Sequence, residues 1–339
     1  MDPFEQRHPG ARRAERERRR QRRRLMRRIG AVSVVAIAIA VVVVVVVTAL
    51  PGGSSNSSGN SGHRHASVTA HKHHKPVHHG AGSTADVLKP GTGSPGDATV
   101  PILMYHVINA PPPGAPYPSL YVPADEFDAQ MQALKDAGWV AVTLDQLWAN
   151  WSTGAKLPSG RPFVLTFDNG YYSQYSAALP ELKKLGWVAD ENMQLSGLPP
   201  SQGGLTNDEV RALVKAGWEL DTQGISHADL VELSGSELDA QVAGARHTIQ
   251  HRFHVPVNWF CYPSGQYDAA VIAEVKAAGY KGSTTVVPGW ASRSSDPYRL
   301  PRLRIVGGTT PAALQSQMSE SRNDSPPPSS YTTSSPGYG

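Results

Sequence analysis

The chain has 339 residues and a net charge of +4, but the charge is unevenly distributed. Residues 1–28 contain twelve arginines against four acids, a net charge of +8, so the remaining residues together carry −4. The basic composition therefore describes the amino-terminal tail, and it does not by itself predict binding of the whole protein to nucleic acid.

Residues 29–50 form an uninterrupted apolar segment, IGAVSVVAIAIAVVVVVVVTAL. A helix of about 20 apolar residues spans the hydrocarbon core of a bilayer, whereas strands rarely exceed about ten residues, so we predict a transmembrane helix. By the positive-inside rule, residues 1–28 are then a cytoplasmic tail in a single-pass protein of the cell membrane, and the following residues are extracytoplasmic. No nucleic-acid partner is expected. A cleaved signal peptide ending at residues 47–49 is the alternative, and it exports the same domain.

Two polar segments flank the predicted globular region. Residues 51–97 are rich in Gly, Ser and His and lack apolar periodicity, which predicts a disordered linker. Seven of the thirteen histidines lie there. We interpret them as part of a solvated spacer, with a metal-binding tract or a pH-responsive stalk as alternatives. The Pro/Ser-rich residues 319–339 are expected to be a second disordered segment, which leaves one domain at 98–318.

Apolar runs and amphipathic stretches alternate through this domain. Strands are predicted at 100–105, 139–143, 162–167, 218–220, 257–262, 282–287 and 303–306, and helices at 125–137, 173–185, 206–216, 234–253 and 268–278. Capping boxes are expected at Thr206 with Glu209 and at Ser234 with Glu237. The alternation predicts an α/β fold, a distorted (β/α) barrel of about seven strands. The alternation of strands and helices leads us to expect a further strand after Gly186. Residues 187–197 are polar, however, so their pattern does not assign them to a strand.

Four of the predicted strands run into polar or glycine-containing turns. The polar residues are His106 after the first strand, Asp168 and Asn169 after the third, Asp221, Gln223 and His227 after the fourth, and Cys261 and Tyr262 at the end of the fifth. Active groups of such barrels gather at the carboxyl ends of the strands, so we predict a site at this rim. Each turn alone could equally be a local side-chain hydrogen-bonded turn. The lone cysteine, Cys261, cannot form a disulfide within the chain and is expected to be buried.

The order of these segments resembles the polysaccharide deacetylase family, which shares the NodB homology domain of chitooligosaccharide deacetylases. The resemblance runs from about Thr99 to Val306 and rests on the segments PILMYHVI, LTFDNGYYSQYSAALPELKKLG, WELDTQGISHADL, FCYPSGQYDAAVIAEVKAAGY and DPYRLPRLRI. It implies a hydrolase that uses a divalent, zinc-like metal to remove acetyl groups from a cell-wall or extracellular polysaccharide.

The resemblance also implies roles for individual residues. Asp168 matches the general base, and a backbone N–H near Tyr262 would stabilise the oxyanion. The family's metal ligands are an aspartate and two histidines, and the matching positions here are Asn169, Gln223 and His227. Neutral amides are weak ligands for zinc-like ions, so the implied ligand set is degenerate.

The sequence is compatible with three functions. The first is a deacetylase with altered metal use, in which Asp168, Asp221, His106 and His227 form a substitute cluster. The second is metal-independent glycan hydrolysis by Asp168 and Asp221 as a carboxylate pair. The third is a catalytically inactive glycan-binding protein. Cys261, which stands where many relatives have an arginine, is a further candidate for the site.

Overall fold

The structure is a computed structural model that describes residues 93–196, 198 and 203–332, all within one compact unit, His78–Gly339. The predicted cytoplasmic tail, the predicted transmembrane helix at 29–50 and nearly all of the predicted linker lie outside these residues. Among the residues that are described, no helix combines the length and the apolar character needed to cross a bilayer.

Nine strands form one sheet in the described part of the chain. They are β1 (Val100–Tyr105), β2 (Trp139–Val142), β3 (Arg161–Asn169), β4 (Asp190–Met193), β5 (Glu219–Thr222), β6 (Trp259–Cys261), β7 (Gly282–Thr284), β8 (Trp290–Ala291) and β9 (Leu303–Arg304). The strand order is β7-β6-β5-β4-β3-β1-β8, with β2 also paired to β3 and β9 to β1. The pair β1–β8 is antiparallel and the other strand pairs are parallel.

Helices connect most of the strands. Within the described ranges they are α1 (Ala124–Asp136), α2 (Leu144–Thr153), α3 (Leu179–Leu185), α4 (Asn207–Lys215), α5 (Gly235–Asp239), α6 (Ala245–Phe253), α7 (Ala269–Ala277) and α8 (Pro311–Glu320). Single π-helical turns, Gln174–Ala178 and Ala240–Gly244, precede α3 and α6. The predicted α/β class and the parallel, barrel-like sheet are confirmed. A bridge between Thr284 and Leu300 brings the segment that leads to β9 beside β7. The sheet is therefore curved and partly closed, like a barrel.

The two faces of β3 show how the sheet positions a site. Successive strand residues point to opposite faces. Leu165 and Phe167 belong to an apolar core that also contains Phe127 and Met131 of α1 and Trp218, whose ring stacks on Phe167 at 5.0 Å between centroids. The alternate residues of β3, Thr166 and Asp168, lie on the concave inner face of the curved sheet, which carries polar side chains.

Four elements were not placed from the sequence, although the alternation led us to expect a strand in the region of one of them, β4. Strand β4 occupies part of the polar stretch 187–197 and lies between β3 and β5, with all four of its residues buried. Strand β8 and helix α8 are also additional, and so is α2. The first turn of α2 is closed by a capping box between Thr143 and Gln146.

One of the two predicted capping boxes is confirmed and the other is wrong. The side chains of Thr206 and Glu209 bond reciprocally to each other's backbone N–H groups at the start of α4. At the start of α5 the side chain of Ser234 makes no capping hydrogen bond. The N–H of Glu237 instead donates to the backbone carbonyl of Ser234 at 3.3 Å, which replaces the hydroxyl as acceptor.

The prediction that disorder begins at residue 319 is wrong as far as residue 332. Tyr331 is buried and pairs with Tyr267 through two backbone hydrogen bonds of 2.8 Å. The carbonyls of Pro327 and Pro328 accept hydrogen bonds from Arg299 and Tyr267. Prolines do not prevent this packing, because an extended segment still offers its carbonyls to neighbouring donors. Residues 333–339 lie outside the described part of the chain.

Candidate active site

Asp168 lies near the carboxyl end of β3 and is almost completely buried. Arg302 binds it through two hydrogen bonds, from Nη1 to Oδ1 at 2.7 Å and from Nη2 to Oδ2 at 2.9 Å. The Nδ2 of Asn192 on β4 donates to the same Oδ1 at 2.9 Å. Burial by itself raises the pKa of Asp168, but the charge and hydrogen bonds of Arg302 outweigh it and hold that pKa at about 2. The carboxylate therefore stays ionised at every working pH.

Arg302 is the main site residue that the sequence reasoning missed. Its Nε donates to the Thr285 carbonyl at 2.8 Å, and Nη1 also donates to Thr166 Oγ1 at 3.0 Å. Its Nη2 lies 3.2 Å from Cys261 Sγ. Arg302, from the segment before β9, thus lies in contact with Cys261, the position at which the family resemblance implies an arginine. No local sequence signal points to Arg302, because it lies 134 residues from Asp168 along the chain.

Cys261 is fully buried, as predicted, and takes part in this site. Its Sγ lies 3.5 Å from Asp168 Oδ2, within range of a hydrogen bond from the thiol to the carboxylate. Burial raises the pKa of the thiol well above its ordinary value. Because the thiolate is the nucleophilic form, Cys261 serves as a neutral contact of Asp168 and not as a nucleophile.

His106, just beyond β1, faces Asp168 across the rim. Its Nε2 lies 3.9 Å from Asp168 Oδ2, and its Nδ1 is buried with no hydrogen-bond partner among the residues that the structure describes. Burial lowers the pKa of His106 to about 4, so the imidazole is neutral at pH 7. The Nε2 of Gln174 donates to the carbonyls of His106 at 3.0 Å and Asp168 at 2.8 Å, which ties the two strand ends together.

The positions that match the family's metal ligands do not fit a zinc-like ion. Asn169 has a left-handed backbone (φ 82°), and its Nδ2 donates to Gln194 Oε1 at 3.0 Å. Gln223 Oε1 is a buried acceptor without a partner, but it is an uncharged oxygen. The Nε2 of His227 accepts a hydrogen bond from the Ser264 N–H at 3.4 Å. Two amides and an imidazole engaged in this way lack the anionic or free imidazole ligands that zinc sites use.

Asp221 lies in the same register row as Asp168, with Asn192 between them. It is fully buried, and its Oδ1 accepts the N–H groups of Trp259 at 2.9 Å and Asn258 at 3.3 Å. Burial, and then the nearby charge of Glu219, raise the pKa of Asp221. With an intervening side chain and no exposed surface, Asp221 gives the carboxylate-pair hypothesis no support.

Tyr262 lies at the end of β6, but its side chain is engaged elsewhere. The hydroxyl donates to the Tyr298 carbonyl at 2.9 Å, and the ring is buried. Its backbone N–H donates to the Thr284 carbonyl over a long 3.4 Å. That N–H would have to leave this weak bond to stabilise an oxyanion, so the role implied for it stays a prediction.

An open cleft of about 620 Å³ adjoins the rim. It is lined by residues that follow β1, by residues that follow β3 and by the start of α4, including Val107, Tyr121, Tyr172, Ser173 and Glu209. Val107 is next to His106 in the chain and Tyr172 and Ser173 follow β3, so the cleft adjoins the rim, although Asp168 and His106 do not line it. Tyr172 is one of the few large apolar side chains that the described surface exposes.

Comparison with known proteins places this site in a family context. The family model for polysaccharide deacetylases matches residues 156–283, which include Asp168, Gln223 and Cys261. The chain is 31% identical over 217 residues to YxkH of Bacillus subtilis, a protein assigned to the polysaccharide deacetylases; the match covers 64% of this chain and 75% of that one.

Solved structures agree with the sequence match. The deacetylase PplD of Streptococcus pyogenes, solved in complex with acetate, superimposes with a TM-score of 0.60 and 27% identity over 66% of this chain and 99% of its own. BC0361, a polysaccharide deacetylase from Bacillus cereus, gives a TM-score of 0.58 and 26% identity over 66% of this chain and 69% of its own.

Proposed function

Because the chain belongs to the polysaccharide deacetylase family, and so to a family of hydrolases, we propose that it releases acetate from an acetylated cell-wall or extracellular polysaccharide. The observation that carries the proposal is Asp168, which lies inside the matched region, is held anionic by Arg302 and belongs to the strand end that continues into the cleft-lining residues Tyr172 and Ser173. The acetate in PplD is the product expected of such a reaction.

The rim residues support separate roles for Asp168 and His106 in the hydrolysis. A carboxylate with a pKa of about 2 orients a water molecule well but is a weak base. The neutral imidazole of His106, 3.9 Å from Asp168, has a pKa of about 4, which makes it the stronger base of the two, and it can take up the proton that the attacking water loses. The water oxygen adds to the acetyl carbon, the bond from that carbon to the sugar nitrogen or oxygen breaks, and the same proton passes to the leaving atom.

A metal would supply a Lewis acid for the acetyl carbonyl in relatives that bind one. The hydrolysis proposed for this chain does not use such an ion, because Asn169, Gln223 and His227 do not form a fitting set of ligands. Charge must then be stabilised by hydrogen-bond donors alone, which are worth less than an ion. We therefore expect slow turnover.

The cleft supports a sugar polymer as the substrate. It is open along one side, as a groove for a chain molecule requires, and the exposed ring of Tyr172 lies in its wall. An aromatic ring offers a flat apolar surface together with a polar hydroxyl, and a pyranose ring presents the matching combination. Tyr172→Ala should raise the KM for an oligosaccharide more than it lowers kcat.

Acetate release by the purified chain tests the proposal. Acetylated glycan polymers and oligomers are incubated with the protein, and acetate is measured by a coupled enzyme assay. Asp168→Asn keeps the shape of the side chain and removes its charge, and we expect at least a hundredfold loss of acetate release. Asp208→Asn is the matched control, because Asp208 is an exposed carboxylate paired with Arg211 on α4. Equal glycan binding by wild type and Asp168→Asn, with no acetate from either, would establish a binding protein instead.

We propose further that the domain faces the outside of the cell on a membrane anchor. The support is in the sequence, in the apolar residues 29–50 and the arginine-rich residues 1–28 that precede them. Protease added to intact cells should degrade the domain and spare a short amino-terminal fragment in the membrane fraction. A full-length protein recovered entirely in the soluble fraction would contradict the anchor.

A further inference from the structure

The inner face of the sheet holds a second group of polar side chains, below the rim. Asp190 and Glu219 are the first residues of β4 and β5, and Asp221 is the third residue of β5. One oxygen from each of these three carboxyl groups lies within 4.8 Å of the others. We call Asp190, Glu219 and Asp221 the floor cluster. The proposed acetate release does not use it.

Each carboxyl group of the floor cluster is fixed through one of its two oxygens. The N–H of Leu144 donates to Asp190 Oδ1 at 2.9 Å, and the N–H of Asp145 donates to Glu219 Oε2 at 2.9 Å. Both N–H groups belong to the first turn of α2. Asp221 Oδ1 accepts the N–H groups of Trp259 on β6 and of Asn258 just before it. These backbone donors set the orientation of all three groups.

The second oxygen of each carboxyl group has no such donor. Asp190 Oδ2, Glu219 Oε1 and Asp221 Oδ2 are buried, and the described residues place no hydrogen-bond donor in bonding geometry with them. Asp190 and Glu219 stand close enough to share a proton, which is the other way to satisfy two of these oxygens. Apart from such a shared proton and the side chain of Thr143, which is within hydrogen-bonding reach of Glu219, the described residues offer these three oxygens no positively charged or hydrogen-bearing partner.

The side chain of Asn192 adds a fourth oxygen. Asn192 is fully buried, with Asp168 as its register partner on β3 and Asp221 as its partner on β5. Its Nδ2 donates towards β3, to Asp168. The amide oxygen therefore points to the β5 side, where Asp221 lies, and it too accepts no hydrogen bond from the described residues. An amide oxygen directed at a carboxylate is repulsive unless something positive lies between them.

Two basic side chains whose partners lie next to the floor cluster are already committed to those partners. Arg302 is bidentate to Asp168, and the ammonium of Lys281 binds Asp145 Oδ1 at 2.7 Å. When ionised, the floor cluster carries a charge of −3. The amino terminus of α2 offsets only about half of one charge.

We propose that the floor cluster is a binding site for a hard divalent cation such as Ca²⁺, Mn²⁺ or Mg²⁺. Asp190, Glu219 and Asp221 supply one oxygen each, and the Asn192 amide supplies a fourth. All-oxygen sets with several carboxylates are the ligands these ions prefer. The ion reaches the site from the side of Glu219, which is half-buried, and Asp145, whose side chain is 32% exposed.

The ion's role is structural, because it bridges β4 and β5 where two central strands bring their carboxylates together. It also keeps like charges from forcing these strands apart, as a cation between carboxylates does in other oxygen-ligand sites. The competing occupant is the proton. Burial raises the pKa of all three carboxyl groups, so protons and the cation compete for the same oxygens.

Tb³⁺ luminescence tests the site directly on the full-length chain after treatment with a chelator. Tb³⁺ takes oxygen ligands as Ca²⁺ does, and an indole nearby sensitises its emission. Trp259 donates its backbone N–H to Asp221 and its Nε1 to Asp145 at 3.2 Å, so it lies beside the site. We expect saturable emission with one ion per chain at pH 7.5, displaced by Ca²⁺, and a weaker affinity at lower pH. The seven histidines of residues 51–97 do not interfere, since Ca²⁺ and Tb³⁺ avoid imidazole.

Variants distinguish this site from the rim. Asp190→Asn and Asp221→Asn should each weaken Ca²⁺ binding at least tenfold, measured by calorimetry and by the Ca²⁺-dependent rise in melting temperature. His227→Ala, at the rim, and Asp208→Asn, on the surface, should leave the affinity unchanged. Circular dichroism of each variant confirms folding. Wild type that binds none of the four ions at pH 8, or binding that survives both floor variants, overturns the proposal. Neither result bears on acetate release, which is measured separately.

Discussion

Asp168 and the floor cluster show opposite solutions to one physical problem, a buried carboxylate on the inner face of a sheet. Asp168 has an arginine in bidentate contact, and its pKa is lowered to about 2. The three floor carboxyl groups have backbone donors but no basic side chain, and their pKa values are raised. Asp168 and Asp221 are separated by a single residue of β4, Asn192. The chemistry of each carboxylate is therefore decided by its partner and not by its depth in the fold.

The largest effect is expected where that partner is removed. Arg302→Met leaves the charge of Asp168 buried and unpaired, and removal of one member of a buried pair destabilises a protein by about 3–5 kcal/mol. Urea denaturation at pH 7 measures the change in the free energy of unfolding. The double variant Arg302→Met/Asp168→Asn should recover a large part of the loss. A loss below about 1 kcal/mol in the single variant would show that the pair contributes little.

His106 makes the rim sensitive to acid. Its folded pKa of about 4 lies below its unfolded value near 6.5, so the unfolded state binds more protons between these pH values. The stability supplied by the neutral imidazole is complete above about pH 6.5 and is lost as the pH falls to 4, by up to roughly 3 kcal/mol. His106→Asn should flatten the curve of unfolding free energy against pH in this window. If His106→Asn leaves the dependence of the unfolding free energy on pH unchanged, His106 does not have the lowered pKa.

The floor cluster should respond to pH in the opposite direction. Its folded pKa values are raised, so with a chelator present stability is complete at low pH and declines as the pH rises above about 4. Asp221→Asn removes one of these groups while its amide oxygen can still accept the N–H of Trp259. In chelator at pH 8 the variant should be more stable than wild type, by about 1.4 kcal/mol for each unit by which the pKa of Asp221 is raised. A less stable variant under these conditions would contradict the raised pKa.

The smallest effect is expected for an ion pair in water. Asp208 and Arg211 lie one turn apart on α4, with side chains 96% and 54% exposed. Solvent screens such pairs, so Asp208→Asn should not change the urea midpoint measurably. Both Arg302→Met and Asp208→Asn remove one member of an ion pair, and only the first pair is buried. The difference between their effects on the free energy of unfolding therefore measures the contribution of burial. A large destabilisation by Asp208→Asn would mean that the comparison rests on something other than burial.

Much of the fold could be predicted because its signals are local. Apolar runs identified seven strands, and the Thr206–Glu209 pair identified the start of α4. Strand β4 could not be found in this way, because its polar residues are stabilised by contacts from distant parts of the chain. Asp190 bonds to Leu144, 46 residues away, and Asn192 bonds to Asp168. Helix α2 had a readable capping signal at Thr143, which the sequence analysis did not use.

The candidate site was predictable in outline only. The rim position of Asp168 followed from the end of a strand, and His106 was rightly placed near it. Arg302 lies 134 residues from Asp168 along the chain, so no spacing rule links the two. The grouping of Asp221 with Asp190 and Glu219 depends on the register of β4 and β5, which periodicity within a single strand cannot specify.

Cys261 gives the protein a built-in reporter of its own motions. It is the one sulfhydryl in 339 residues, and the structure buries it against Asp168 and Arg302. An alkylating reagent can reach it only in moments when the strands that enclose it separate. The rate of alkylation under native conditions therefore counts these openings, without any engineered label.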